Sequence, residues 1–208
     1  MIIIEHGFLN KWQDLTALFN GVSTMDELVN NIEQQSLIDP LHYGSTKEKG
    51  MNKFRGDSFE FFIELFLKIF DTDKRVMVYN YHPLPPNEDN GCDGIGNNLI
   101  GEKCVVQIKF RSDPTYLLEG NKDHLTNMTN EAQFLGVVYN LDDEKNYRHF
   151  VFTTGEGLNH NTDNTTFKNK VYCFGIKKFR KMVDNNIPFW NKCREIVMEL
   201  DPRLQQVV

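Results

Sequence analysis

No apolar run in the chain approaches the length needed to cross a membrane. The opening Met1-Ile2-Ile3-Ile4 is cut short by Glu5 and His6, too soon for the apolar core of a signal peptide, so a cytoplasmic location without a membrane partner is expected. Asn127-Met128-Thr129 and Asn164-Thr165-Thr166 match the glycosylation acceptor pattern, which carries no weight without a secretory signal. Cysteine is scarce. The four residues, Cys92, Cys104, Cys173 and Cys193, form no CxxC pair, so neither a zinc site nor a redox pair is indicated and reduced, packed thiols are expected. Positive charge is in deficit, and the formal net charge of -6 argues against a protein that coats nucleic acid by bulk charge. Repeats and low-complexity tracts are absent as well.

Several chemical signatures are missing. Gly91-x-x-Gly94-x-Gly96 lacks the Lys-Ser/Thr of a phosphate-binding P-loop. Asn159-His160-Asn161 has no second histidine downstream, which leaves an HNH reading unsupported and His160 as a loop residue. No Gly-x-Ser-x-Gly or His-Glu-x-x-His occurs, so serine hydrolase and zincin chemistry have no footing.

What remains is an ordinary globular composition, with 40% apolar and 25% charged residues over 208 positions, enough for one domain with a full core. Thr24 with Glu27 three residues on forms a capping box that opens a helix through Leu28, Val29 and Ile32, and Asp39-Pro40 should stop it. A connector is expected over Tyr43 to Gly50. Gly56-Asp57-Ser58 can then cap a helix from Phe59 to Phe70 that is apolar almost all round and belongs inside a protein. Glu60 and Glu64 are conspicuous there. Their spacing of four puts both on one face, which either meets solvent or meets something positive.

Strands are expected over Arg75–Tyr81, from near Cys92, over Cys104–Phe110, over Tyr147–Thr153 and over Val171–Phe174. Further helices are expected over Lys122–Leu135, Lys177–Val183 and Phe189–Leu200. That order indicates an α/β fold with a mixed sheet between helices. Lys168, Lys170, Lys177, Lys178, Arg180, Lys181, Lys192 and Arg194 fall in a stretch whose only acid before Glu195 is Asp184. It reads either as a phosphate-facing surface or as a solvated helix face.

The chemistry concentrates in Gly91-Cys92-Asp93-Gly94-Ile95-Gly96 and Val105-Val106-Gln107-Ile108-Lys109-Phe110-Arg111. Asp93 sits among glycines, where backbone can approach a ligand closely. Gln107 and Lys109 lie two apart on a strand and share a face, while Val106 and Ile108 take the other. Magnesium prefers oxygen ligands and retains several waters. A carboxylate, an amide oxygen and a backbone carbonyl such as that of Ile108 can hold it, and a lysine alongside can handle a proton or neutralise charge.

Glu60 within Gly-x-x-Phe-Glu, then Asp93, then Gln107-x-Lys109 resemble the PD-(D/E)xK nuclease superfamily, above all its Mrr-like branch, where a glutamine commonly replaces the motif's acid. The resemblance covers about residues 50 to 183, and Thr153-Thr154 is similar to that branch too. It implies a restriction-endonuclease-like αβββαβ core at 46–208, behind a helical N-terminal extension at 1–45. It implies Asp93 and Gln107 as ligands of Mg2+ or Mn2+, Lys109 as the catalytic lysine and Glu60 as a supporting acid. The implied activity is metal-dependent hydrolysis of DNA phosphodiesters. Lys177, Lys178, Lys181, Arg111 and His160 are the expected DNA contacts. Cys92 replaces the motif's proline, and the neutral Gln107 favours a single ion. Two other readings stand beside this one: a non-cutting DNA-binding or assembly module of the same fold, and a nuclease subunit active only within a larger complex; a homodimer or a larger nucleic-acid-processing complex is the expected assembly.

Overall fold

The computed structural model describes residues 2–5, 15–85, 92–119, 122–123, 125, 148–159 and 171–200. The chain divides into two compact units, 1–65 with 177–208 and 66–176, so the boundary expected near residue 45 lies inside the first of them. The architecture is mixed α/β.

The helical unit is built on α1 (Leu15–Phe19), α2 (Met25–Ser36), α3 (Pro40–Tyr43), most of α4 (Lys47–Ile69), nearly all of α5 (Ile176–Val183), and α6 (Ile187–Leu200). The capping box of α2 forms as expected: Glu27 N–H donates to Thr24 Oγ1 at 3.2 Å, and the Glu27 carboxylate accepts the Thr24 N–H at 3.0 Å. Helix α4 departs from expectation. It begins at Lys47, not Phe59, because Thr46 caps it through a 3.2 Å bond to the Lys49 N–H. Gly50 belongs in this first turn, since a Cβ there would stand 1.6 Å from the Pro40 carbonyl oxygen. Gly56 is thus carried inside a helix whose packed phenylalanines outweigh its poor propensity.

Those aromatic rings make the core of this unit. Phe62 stacks on Phe59 at 6.0 Å and on Trp190 at 6.1 Å, and Phe179 meets both phenylalanines at about 6 Å. Asp184 accepts the Met25 N–H at 2.8 Å, and Arg180 pairs with Asp26 at 2.7 Å. Both bonds bring α5 against the start of α2. Glu64 is fully buried and accepts the Glu5 backbone N–H at 2.7 Å, so an amide hydrogen, not solvent, meets that carboxylate. Glu60 is half-buried on the same helix.

The second unit carries a five-stranded mixed sheet, in the order β1 (Tyr79–Pro83), β2 (Gly94–Asn97), β3 (Lys103–Lys109), β5 (His149–Thr153), β7 (Val171–Phe174). The pairs β1–β2 and β2–β3 are antiparallel, whereas β3, β5 and β7 run parallel. A two-stranded parallel sheet pairs β4 (Leu117–Leu118) with β6 (Gly157–Leu158). Strand β1 begins four residues later than the sequence pattern predicts. Arg75 closes on the Asp73 carboxylate, the Val76 N–H bonds back to the Asp73 carbonyl, and Met77 takes a left-handed φ of 62°, all of which turn the chain before it can pair. The helix expected over Lys122–Leu135 lies mostly outside the described residues, though Leu125 is helical.

Alternation divides the sheet into two faces. Phe66, Phe152 and Phe174 cluster on one, with successive ring centroids 5.5–5.6 Å apart. On the other, Val105, Val151 and Val171 join Cys92, Leu118, Leu125 and Leu158 in an apolar cluster. Ile95 and Cys173 pack against it. Gln107 and Lys109 follow Val105 at intervals of two, so they belong to this second face, at its end toward the carboxyl termini of the parallel strands. None of the four cysteines is in a disulfide, and Cys92, Cys104 and Cys193 are buried; burial pushes the Cys104 thiol up to about 12. Among the described residues no helix is long and apolar enough to cross a membrane.

Candidate functional site

Asp93 immediately precedes β2, and its backbone N–H bonds to the Val106 carbonyl at 2.9 Å. Its carboxylate Oδ2 then accepts the Ile108 backbone N–H, so a side-chain oxygen takes over where a ladder carbonyl would stand. This bond brings the carboxylate to the segment of β3 that carries Gln107 and Lys109. Two further bonds fix the turn: the Asp93 carbonyl accepts from Leu84 N–H at 3.0 Å and from the Tyr81 hydroxyl at 3.4 Å. The residue that follows must be glycine, because a Cβ on Gly94 would stand 2.3 Å from the Tyr81 ring.

Gln107 is buried, at 2% exposure, and pairs across the parallel register with Val151. Lys109 is half-buried at the last position of β3, opposite Thr153. Ligands of parallel α/β sheets bind beyond the carboxyl ends of the strands, and this edge of β3 and β5 is such a position. Asp93, Gln107, Ile108 and Lys109 are thus gathered toward the carboxyl end of the central strand β3. Glu60 belongs to the other compact unit.

Beyond Lys109 the strand runs into a polar knot. The Arg111 N–H donates to Thr154 Oγ1 at 2.6 Å, and that hydroxyl donates to the Arg111 carbonyl at 2.7 Å. The Arg111 guanidinium forms an ion pair with Asp123, a carboxylate only 4% exposed. Asp123 also accepts the Glu119 N–H at 2.6 Å and the Tyr116 hydroxyl at 3.4 Å, and the guanidinium lies 5.4 Å from the centre of the Tyr116 ring. Lys122 stands 5.3 Å from that ring centre, and its bond with the Tyr116 side chain holds its ammonium above the usual lysine value. Sequence reasoning singled out Arg111 but not Tyr116 or Asp123. No local pattern marks Asp123, since its partner lies twelve residues away.

Of the expected DNA contacts, Lys177 and Lys181 are exposed on α5 and Lys178 is half-buried, all three in the helical unit. Three more cations of that basic stretch have partners within the protein. Arg180 pairs with Asp26, Lys192 pairs with Glu195 at 2.8 Å, and Arg194 donates to the Phe19 and Val22 carbonyls at the end of α1. His160, Lys168 and Lys170 lie outside the described residues. Among the described residues no group of three or more His, Cys, Asp or Glu could hold a metal ion. No protein-family model matches the chain, and no curated protein or solved structure matches it either.

Proposed function

We propose that this chain is a metal-dependent deoxyribonuclease of the PD-(D/E)xK type, with a restriction-endonuclease-like core. The observation that carries the reading is the bond between the Asp93 carboxylate and the Ile108 N–H, which sets an acid against the strand bearing Gln107 and Lys109.

The donors on offer are a carboxylate, an amide oxygen and a backbone carbonyl, all hard oxygen ligands suited to Mg2+ or Mn2+ and not to zinc. Asp93, Gln107 and the Ile108 carbonyl would hold one such ion. Bound there, the ion would polarise the scissile phosphate and lower the pKa of a water. With one carboxylate and one neutral amide, the set suits a single ion whose shell waters and phosphate oxygens complete. Lys109, at the open end of β3, orients or deprotonates the attacking water, or neutralises charge that develops on the phosphate. Glu60 enters as a supporting acid on the sequence resemblance alone. Lys177, Lys178 and Lys181 are the candidate phosphate contacts, because a protein of net charge -6 needs its positive surface to be local.

Incubation with supercoiled, linear and branched DNA, with Mg2+ or Mn2+ and with a chelator, tests this reading. Strand cleavage that requires the ion and stops on chelation supports it. Metal-independent DNA binding without cleavage of any form would establish the non-cutting module instead.

A further inference from the structure

In the knot beyond β3, Asp123 and Tyr116 lie outside every role given so far. Strand ends fray, and a lysine at the last position of a strand, on a long stem with four rotatable bonds, is poorly held by the strand alone. Here the chain just past it is held by bonds to Thr154 and to Asp123. Thr154 Oγ1 both accepts from and donates to the backbone of Arg111, at 2.6 and 2.7 Å. The Thr154 N–H reaches the Lys109 carbonyl itself at 3.4 Å. The Arg111 side chain is held in the ion pair with Asp123, whose second oxygen is tied to the Glu119 N–H at 2.6 Å. A carboxylate buried this deeply is retained only with its charge answered, and Arg111 answers it.

The bonds of Thr154 and Arg111 fall on residues 109 to 111, whereas Tyr116, which also donates to Asp123, packs against the apolar cluster on the same face of the sheet. We propose that Asp123 is a positioning residue for Lys109, acting through Arg111 and Thr154 to fix the end of β3 and hence the reach of the ammonium. This rests on the nuclease reading for its consequence in catalysis, but not for its consequence in structure. It also reassigns Arg111. A guanidinium committed to Asp123 and 27% exposed is a strut for the strand end, not a contact to phosphate.

The test uses the full chain with its lysines carrying 13C-methyl groups by reductive methylation, the Lys109 resonance being assigned by its loss in Lys109→Arg. In Asp123→Asn and in Thr154→Val that resonance is expected to shift and to narrow toward the value of a solvent-exposed lysine, while Thr154→Ser, which keeps the hydroxyl, returns it to the wild-type position. On unmethylated protein, single-turnover cleavage is expected to fall about 100-fold in Asp123→Asn and Thr154→Val, the cost of a displacement on the order of 1 Å, with half-saturation by DNA unchanged. Arg111→Lys is expected to leave the salt dependence of DNA binding as it is. An unmoved Lys109 resonance in both variants overturns the proposal, whatever cleavage does. A resonance that moves in Thr154→Val but not in Asp123→Asn removes Asp123 from the device and also overturns it. If Asp123→Asn does not fold, the Thr154→Val and Thr154→Ser pair combined with Arg111→Lys decides by the same resonance. A wild-type chain that cuts no DNA while its Lys109 resonance responds as expected sinks the nuclease reading and leaves the positioning role standing.

Discussion

The Asp93 carboxylate accepts the backbone N–H of Ile108, the residue between Gln107 and Lys109. A side chain that substitutes for a ladder carbonyl holds both its own position and that of the strand it caps. On the nuclease reading the same side chain serves structure and chemistry, and substitutions can separate the two.

Asp93→Asn keeps an oxygen for the Ile108 N–H and loses the charge, so it is expected to abolish metal-dependent cleavage with little change in thermal stability. Asp93→Ala removes the acceptor as well, and leaving a partly buried N–H without its partner is expected to cost a further 1–3 kcal/mol or so. Melting temperatures and cleavage rates of the two variants, measured side by side, check this. Full activity in either would remove Asp93 as a ligand.

Gln107 is more buried than a solvated strand face would allow, which sharpens its test. A carboxylate at 2% exposure is costly when its charge is unanswered. Gln107→Glu is therefore expected to lower stability in chelator and to recover it on addition of Mg2+ or Mn2+, a metal-dependent rise in melting temperature larger than that of the wild type. Gln107→Ala is expected to raise the metal concentration needed for cleavage. Superimposable metal titrations of both variants and the wild type would exclude Gln107 from the site.

Lys109 tests the mechanism most directly. Lys109→Ala is expected to slow the chemical step by roughly 10²–10⁴-fold, the usual worth of a general acid–base group, with DNA affinity nearly unchanged. Lys109→Arg is expected not to rescue it, because guanidinium keeps its charge but holds its proton near neutral pH. Near-normal rates with arginine would make Lys109 an electrostatic stabiliser. Wild-type rates with alanine at saturating metal would end the nuclease reading.

On α5, reversal of Lys177, Lys178 and Lys181 to glutamate is expected to weaken binding to all DNA sequences alike. Each lysine–phosphate pairing removed should lower the slope of log affinity against log salt by about one unit. Binding isotherms over a range of salt concentrations provide the slope. An unchanged slope would mean that this face makes no phosphate contacts.

Much of the local structure was legible in the sequence. The Thr24–Glu27 box set the start of α2, and the alternation of Val105 to Lys109 set β3 and put Gln107 beside Lys109 on one face. The scattered cysteines announced thiols outside any disulfide. These signals are readable because their physics is short-ranged: a cap acts over three residues and a pleat over two. Tertiary structure decided what depends on distant partners. It started α4 twelve residues early, because packed phenylalanines outweigh a glycine. It turned the chain at Met77 before β1, buried Gln107, and grouped Glu60 with the helical unit and Asp93 with the sheet. It also gave Arg111 a buried carboxylate for a partner, where a DNA contact was expected. A charged side chain far from its partner in sequence carries no mark of it, since the desolvation that makes the pairing necessary exists only once the chain has folded around both.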